Sequence, residues 1–275
     1  MNLNNLFIVI LCCLIIFTLF YLMNIEQFSP KINREKIPKV IYKSGTRTLN
    51  NLPQNIKNLF NKIERNNPEF IIKYYTDNEA RKFIIKNFNK DIVWAYDKLI
   101  PGSFKADLFR YCILYINGGI WSDLTDEFLV PINSFIDFNK DKLVLSLDNM
   151  VGKEDSIKEK GIQISFMATI PNNKLFLDLI NQVVKNCNQN NYSHSTLGIT
   201  GPIMCGEILD KNKTKYDFFD DIKLLRFDGK YFYDKTNKKI IKWKSLHSDL
   251  NNILNRTNKD HYSYLWKTKK VYKNI

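Results

Sequence analysis

Asp123, Asp126 and Glu127 fall within five residues, just after the short element Ile120-Trp121-Ser122. Hard divalent cations take oxygen ligands, and a cation that also holds a diphosphate keeps positions open for phosphate and water. Asp123 and Asp126 would supply two such ligands from one turn; the same stretch also reads as a capped turn whose acids face solvent. Upstream, Lys105, Asp107 and Arg110 gather near the start of an expected helix. A helix N-terminus attracts phosphate, and arginine adds a forked donor. Asp107 with Arg110 one turn on equally makes an ordinary dipole partner and ion pair. His261, near the C-terminal end of the chain, reads from its surroundings as a surface residue near a basic tail. His194 and His247 have no partner in view and read as structural. Cys112, Cys187 and Cys205 show no metal-ligand spacing, and Cys12 and Cys13 sit in an apolar run.

The elements that must position these groups alternate in period, as in an α/β fold. A short strand at residues 39–42 precedes the turn Ser44-Gly45, and Pro53 suits the first position of a helix carrying Ile56, Leu59, Phe60 and Ile63. Asn67-Pro68 stops it. Residues 70–75 are strand-like, and Thr76 or Asp77 caps a helix with Ala80, Phe83 and Ile84. Pro101-Gly102-Ser103 turns into a helix over residues 106–117. Gly118 then suits the left-handed residue that ends it, and Gly119 opens a strand that delivers Asp123 to its C-terminal end. In open α/β sheets that end faces the ligand crevice. Strands are expected at 143–147 and 163–169, a helix at 174–187, and a hairpin around Asp228-Gly229.

Residues 6–23 hold no charge, Gly or Pro, and as a helix would span roughly 27 Å, close to the ~30 Å hydrocarbon core. They read as a membrane anchor: 1–23 the anchor, 24–37 a polar stem, 38–275 the body. Lys31, Arg34, Lys36 and Lys39 follow the span, so charge counting keeps the body cytoplasmic, whereas large domains translocate regardless of it. The 275 residues carry 41 basic against 28 acidic side chains, a net +13, which suits a partner rich in phosphate. The lysines are spread along the chain and no nucleic-acid motif occurs, so no nucleic acid is expected. An anchored binder of polyanions stays open as a second class of reading.

The run FKADLFRYCILYINGGIWSDLTDEFLVPI, residues 104–132, resembles the sugar-transferase segment of family 32 glycosyltransferases, the enzymes similar to yeast initiation-specific α-mannosyltransferases and to sphingolipid mannosyltransferases. Ala106-Asp107, Arg110-Tyr111, Leu114-Tyr115 and Gly118-Gly119-Ile120-Trp121 match that pattern in order and spacing. Weaker matches occur at Ile37-Pro38-Lys39-Val40-Ile41, Asn67-Pro68, Thr76-Asp77, Thr200-Gly201-Pro202, His261-Tyr262 and Leu265-Trp266. The resemblance implies a single GT-A-like, Rossmann-related nucleotide-sugar-binding domain behind an N-terminal transmembrane helix. It further implies a single-pass type II protein of the endomembrane system, ER or Golgi, that moves mannose or another hexose from a nucleoside diphosphate sugar to a glycan or lipid acceptor with retention.

Carried over by residue, the resemblance makes Asp107, Arg110 and Asp123 the catalytic set. Lys105, Asp107, Arg110, Gly118, Gly119, Asp123 and Thr125 would bind the donor. Asp123, Asp126 and His261 would hold Mn2+ or Mg2+, and Thr200, Gly201 and Pro202 would lie on the acceptor side. One departure stands out: Thr125 occupies the place of the family's second metal-binding Asp, with Asp126 displaced by one. Either Asp126 or a water on Thr125 substitutes, or the chain is an inactive relative.

Overall fold

The computed structural model describes residues 35–148, 161–216, 222–244, 246, 259 and 261–275. The expected anchor, residues 1–23, and most of the expected stem lie outside the described residues. Among the described residues no helix is long and apolar enough to cross a membrane.

Among the described residues a mixed sheet of nine strands forms the centre, and its first edge is the expected parallel part. Strands β1 (Val40–Gly45) and β2 (Ile71–Thr76) pair in parallel, and β1 pairs in parallel with β3 (Gly119–Ser122) on its other side. β1 runs past the expected turn at Ser44-Gly45 because its ladder to β2 continues to Gly45 opposite Thr76. Beyond β3 the direction reverses: β6 (Phe166–Thr169) is antiparallel to both β3 and β5 (Leu143–Asp148), and β5 runs parallel to β7 (Ile222–Phe227). β8 (Tyr231–Tyr233) and β9 (Lys239–Lys242) complete a meander that ends on the two-residue β4 (Glu127–Phe128). The strand expected over 163–169 starts only at Phe166, because Gln163 Oε1 accepts the Ser165 N–H at 3.1 Å and bends the chain before the ladder begins.

Seven α-helices among the described residues cover this sheet: α1 (Gln54–Asn66), α2 (Asp77–Asn87), α3 (Lys90–Lys98), α4 (Gly102–Asn117), α5 (Lys174–Asn188), α6 (Pro202–Asn212) and α7 (Tyr262–Lys267). α1 buries Ile56, Leu59, Phe60 and Ile63 on one stripe, each contributing about 1.5–3 kcal/mol. Pro53 is its N-cap rather than its first residue. Thr76 and Glu79 form a reciprocal capping box on α2, so the cap falls on Thr76. α4 starts at Gly102, one turn before the expected boundary, because the turn residues Gly102 and Ser103 themselves take helical form. α3, α6, α7, β4 and β9 had no expectation.

Strand alternation sorts the side chains into two layers. Tyr42 and Trp121 pack into the larger cluster with Phe109, Leu108 and Ile113 of α4, whereas Ile41 and Ile120 enter the opposite cluster with Leu59, Ile63 and Phe166.

Gly118 ends α4 at φ 61°, as expected, but the Gly-Gly pair faces neighbouring chain. A Cβ on Gly118 would lie 2.6 Å from Pro171 N and 2.8 Å from the Thr169 carbonyl oxygen; one on Gly119 would lie 2.9 Å from the Val40 carbonyl oxygen. Both glycines are buried at the N-terminal end of β3, four strand residues away from Asp123, so the reading that they admit the donor is corrected here: they admit neighbouring backbone. A Gly118→Ala protein is expected to lose about 2 kcal/mol or more of stability. That corresponds to a melting temperature lower by roughly 4–8 °C, measured by thermal unfolding.

Candidate active site

β3 ends at Ser122, and the next residue carries the first functional carboxylate. Trp121 faces the helical layer, and Asp123, two residues on, returns to the same side. There Arg110 of α4 meets both: its guanidinium carbon lies 4.9 Å from the Trp121 ring centroid, and Nη2 donates to Asp123 Oδ1 at 2.9 Å. The Trp121 indole Nε1 donates to the same oxygen at 3.0 Å. Asp123 is thus clamped through Oδ1, while its side chain stays 31% exposed.

Arg110 is buried and heavily committed. Nη1 donates to the Ile164 carbonyl, and Nη2 also lies 3.5 Å from Asp107 Oδ1, one helical turn back. Its buried Nε has no hydrogen-bond partner. Asp107 in turn accepts from Thr200 Oγ1 at 2.8 Å, and the Thr200 carbonyl accepts from Tyr111 Oη at 2.7 Å. Burial pushes the Asp107 carboxyl up to about 6; Arg110 and the Thr200 hydroxyl oppose that rise and the charge of Asp123 adds to it. Since this value exceeds that of a free carboxyl, ionised Asp107 weakens the fold as pH rises through about 6.

A Thr200→Val protein removes the hydroxyl that favours ionised Asp107. The acid limb of its pH profile for turnover is expected to move up by roughly one pH unit, so that activity falls more at pH 6 than at pH 8. An unshifted limb would show that Asp107 does not govern it.

On the other side of Asp123, the chain turns back. The Asp126 N–H donates to the Asp123 carbonyl at 3.1 Å, and Lys43 Nζ, from β1, donates to that carbonyl at 2.8 Å and to Ser122 Oγ at 3.1 Å. Asp126 is fully buried, and its Oδ1 accepts the backbone N–H of Lys244 at 3.1 Å, while Oδ2 has no hydrogen-bond partner. The Ser165 hydroxyl lies near enough to favour the charged form of Asp126 without reaching hydrogen-bond geometry. Burial raises the Asp126 carboxyl, with Asp123 adding to the rise, and burial lowers the Lys43 amine, with both aspartates opposing. Each of the two thus offsets the other's cost of burial.

The structure therefore brings together Asp107, Arg110, Asp123 and Thr200, and sets Asp126 beneath Asp123. Other expected members lie elsewhere. Lys105 turns to the far side of α4, with Nζ 5.2 Å from the Tyr96 ring centroid and its charge balanced by Asp97 and Asp77. Thr125 is buried, as are Thr200, Gly201 and Pro202, which brace Asp107 and start α6 rather than present an open acceptor surface. His261 is exposed at the N-cap of α7, its Nδ1 2.8 Å from Ser263 Oγ and its ring over Tyr262.

Among the described residues no group of three His, Cys, Asp or Glu side chains is arranged to hold a metal ion. The expected Mn2+ or Mg2+ set of Asp123, Asp126 and His261 does not fit: Asp126 is sealed beside a lysine, His261 caps a helix, and Asp123 alone has an oxygen free to face solvent. Sequence reasoning missed Lys43, Trp121, Ser165 and Lys244. A lysine inside an apolar strand is rarely buried without a partner, so Lys43 carried a signal; Trp121 carried one in its two-residue spacing from Asp123.

Comparison with known proteins gives a family profile described as capsular polysaccharide synthesis protein that matches residues 20–200. An uncharacterised glycosyltransferase, L373, of Acanthamoeba polyphaga mimivirus is 28% identical over 88 residues, 32% of this chain and 35% of that protein. Inositol phosphoceramide mannosyltransferase 2 of Schizosaccharomyces pombe is 25% identical over 204 residues, 72% of this chain and 55% of that protein. The matches thus span about a third and about half of those relatives' lengths. Of solved structures, the PaToxG glycosyltransferase superposes with a TM-score of 0.49 at 15% identity, covering 87% of this chain and 90% of that one. Both relatives are named as sugar transferases.

Proposed function

The chain belongs to the capsular polysaccharide synthesis protein family, and from that premise we propose that it is a glycosyltransferase with a GT-A-like nucleotide-sugar-binding domain. It moves a hexosyl group, mannose or another hexose, from a nucleoside diphosphate sugar to a hydroxyl of a glycan or lipid acceptor, with retention at the anomeric carbon. The observation that carries this reading is the contiguous Asp107–Arg110–Asp123 constellation at the C-terminal edge of the parallel strands, with one carboxylate oxygen left facing solvent. That edge is where open α/β sheets bind nucleotides.

In this mechanism Asp123 accepts a hydrogen bond from a hydroxyl of the donor through its free oxygen. Arg110 and Trp121 fix the carboxylate so that it meets the donor already oriented. The bond between the anomeric carbon and the diphosphate oxygen breaks, and the diphosphate departs with the electron pair. The acceptor oxygen then bonds to that carbon on the same face and passes its proton to the departing phosphate, so no side-chain base is required. Fixed positive charge beside the leaving group lowers the barrier, because charge grows there as the bond breaks.

Residues 1–23 would tether the body as a single-pass type II anchor in an endomembrane. The experiment that tests the reading is incubation with GDP-mannose, UDP-glucose and UDP-galactose, with and without Mn2+. Release of nucleoside diphosphate from at least one donor is expected. No release from any of them would leave an inactive relative or a polyanion binder.

A further inference from the structure

A leaving diphosphate needs a cation, and of Asp123, Thr125 and Asp126 in the acidic turn Asp123 alone offers an oxygen to one. Thr125 stands where a second carboxylate would act, and it is buried. Asp126 is sealed: one oxygen receives the Lys244 N–H, and the Lys43 amine balances its charge. Asp123 is left with one outward oxygen, so of these three residues it alone would ligate a Mg2+ or Mn2+ ion, whose other ligands would come from phosphate and water. Arg110 is already shared between two carboxylates and a carbonyl.

Lys244 differs from these groups. It follows β9 and Trp243 on a turn where its backbone takes φ 47°, the left-handed region that a lysine seldom occupies. Two bonds hold it there: the Trp243 N–H donates to the Lys230 carbonyl at 2.9 Å, and the Lys244 N–H donates to Asp126 Oδ1 at 3.1 Å. Strain of this kind, of order 1–3 kcal/mol, persists where the surroundings over-determine it, and it gathers at ligand sites. The Lys244 amine rests 4.0 Å from the Trp243 ring centroid, half-buried, and feels the charges of Asp123 and Asp126. The Trp243 indole N–H is buried and without an acceptor, a second donor on the same turn.

We infer that Lys244 binds the diphosphate of the sugar nucleotide beside Asp123, and that its ammonium does the work given to a divalent cation in related enzymes. An ammonium is a compact phosphate binder with three donors on a flexible stem, so it can leave the indole face when the anion arrives. The buried Asp126 fixes the turn by accepting the Lys244 N–H, with the Lys43 amine close enough to offset part of its cost of burial. This inference rests on the glycosyltransferase reading above.

The test is calorimetric titration of UDP and GDP into the full chain, in EDTA and in Mn2+, for the native protein and for Lys244→Met and Lys244→Arg. The native chain is expected to bind at least one nucleotide in EDTA within about threefold of its affinity in Mn2+. Lys244→Met should weaken that binding about tenfold or more, with an unchanged melting temperature, and Lys244→Arg should retain most of it. Binding that needs Mn2+ and ignores Lys244→Met would overturn the inference while leaving the glycosyltransferase reading intact. No binding of either nucleotide in either buffer would overturn that reading, and the inference with it.

Discussion

An Asp123→Asn protein is expected to fold as the native chain does and to lose turnover of the sugar nucleotide by about 10²–10³-fold, the scale of removing one preorganised electrostatic group. The substitution keeps shape and size, so Arg110 and Trp121 still find an oxygen at their donors' distances of 2.9 and 3.0 Å. What it removes is the charge and the outward acceptor, whose place is taken by an amide NH2 that can only donate. The melting temperature, compared with steady-state release of nucleoside diphosphate, separates the two effects. Retained turnover would show that Asp123 is an ordinary turn residue whose ion pair to Arg110 is structural.

Arg110→Met should have the largest effect on stability. Its guanidinium stands between Asp107 and Asp123 and also satisfies the Ile164 carbonyl, so methionine leaves two carboxylates facing one another without a cation. Breaking a buried pair by removing one partner costs about 3–5 kcal/mol, and here a buried carbonyl is orphaned as well. Arg110→Lys should recover part of the loss, because it restores charge but not the forked reach to Ile164 and Asp123 together. Urea unfolding reads this directly; an unfolding free energy within about 1 kcal/mol of native for the methionine variant would mean that the carboxylates find other partners. Activity should fall in both variants, more in the methionine one, because Asp123 loses the donor that orients it.

Much of the scaffold was legible because local chemistry and tertiary structure agree. The alternation of apolar strands with amphipathic helices, the stop at Asn67-Pro68, the cap at Thr76 and the left-handed Gly118 are all decided within a few residues. Asp107 and Arg110 share a helix face by their i, i+3 spacing, and Asp123 lies two residues beyond a buried Trp121, so their meeting follows from two short periodicities and one parallel strand pair. Lys244 was illegible for the opposite reason. It reaches Asp126 across 118 residues because the sheet folds β9 back against β4, and no local pattern encodes that return.

Two misreadings have the same origin. The acidic run after Trp121 looks solvated by composition, yet the pairing of Glu127 with Lys242 draws the preceding residue inward and buries Asp126. The resemblance makes the Gly118-Gly119 pair a donor contact, but it sits at the wrong end of its strand, where Pro171 and Val40 press against it. In both cases residue type was informative about the need for a special position and silent about what would occupy it.

The most direct measurement is a crystal structure of the chain with an intact nucleoside diphosphate sugar bound. The account predicts density for the donor at the C-terminal edge of β3, with a sugar or ribose hydroxyl about 2.7–3.2 Å from the outward oxygen of Asp123. Arg110 should still clamp the other oxygen. A donor bound elsewhere, with the Asp123 carboxylate open to water, would contradict it.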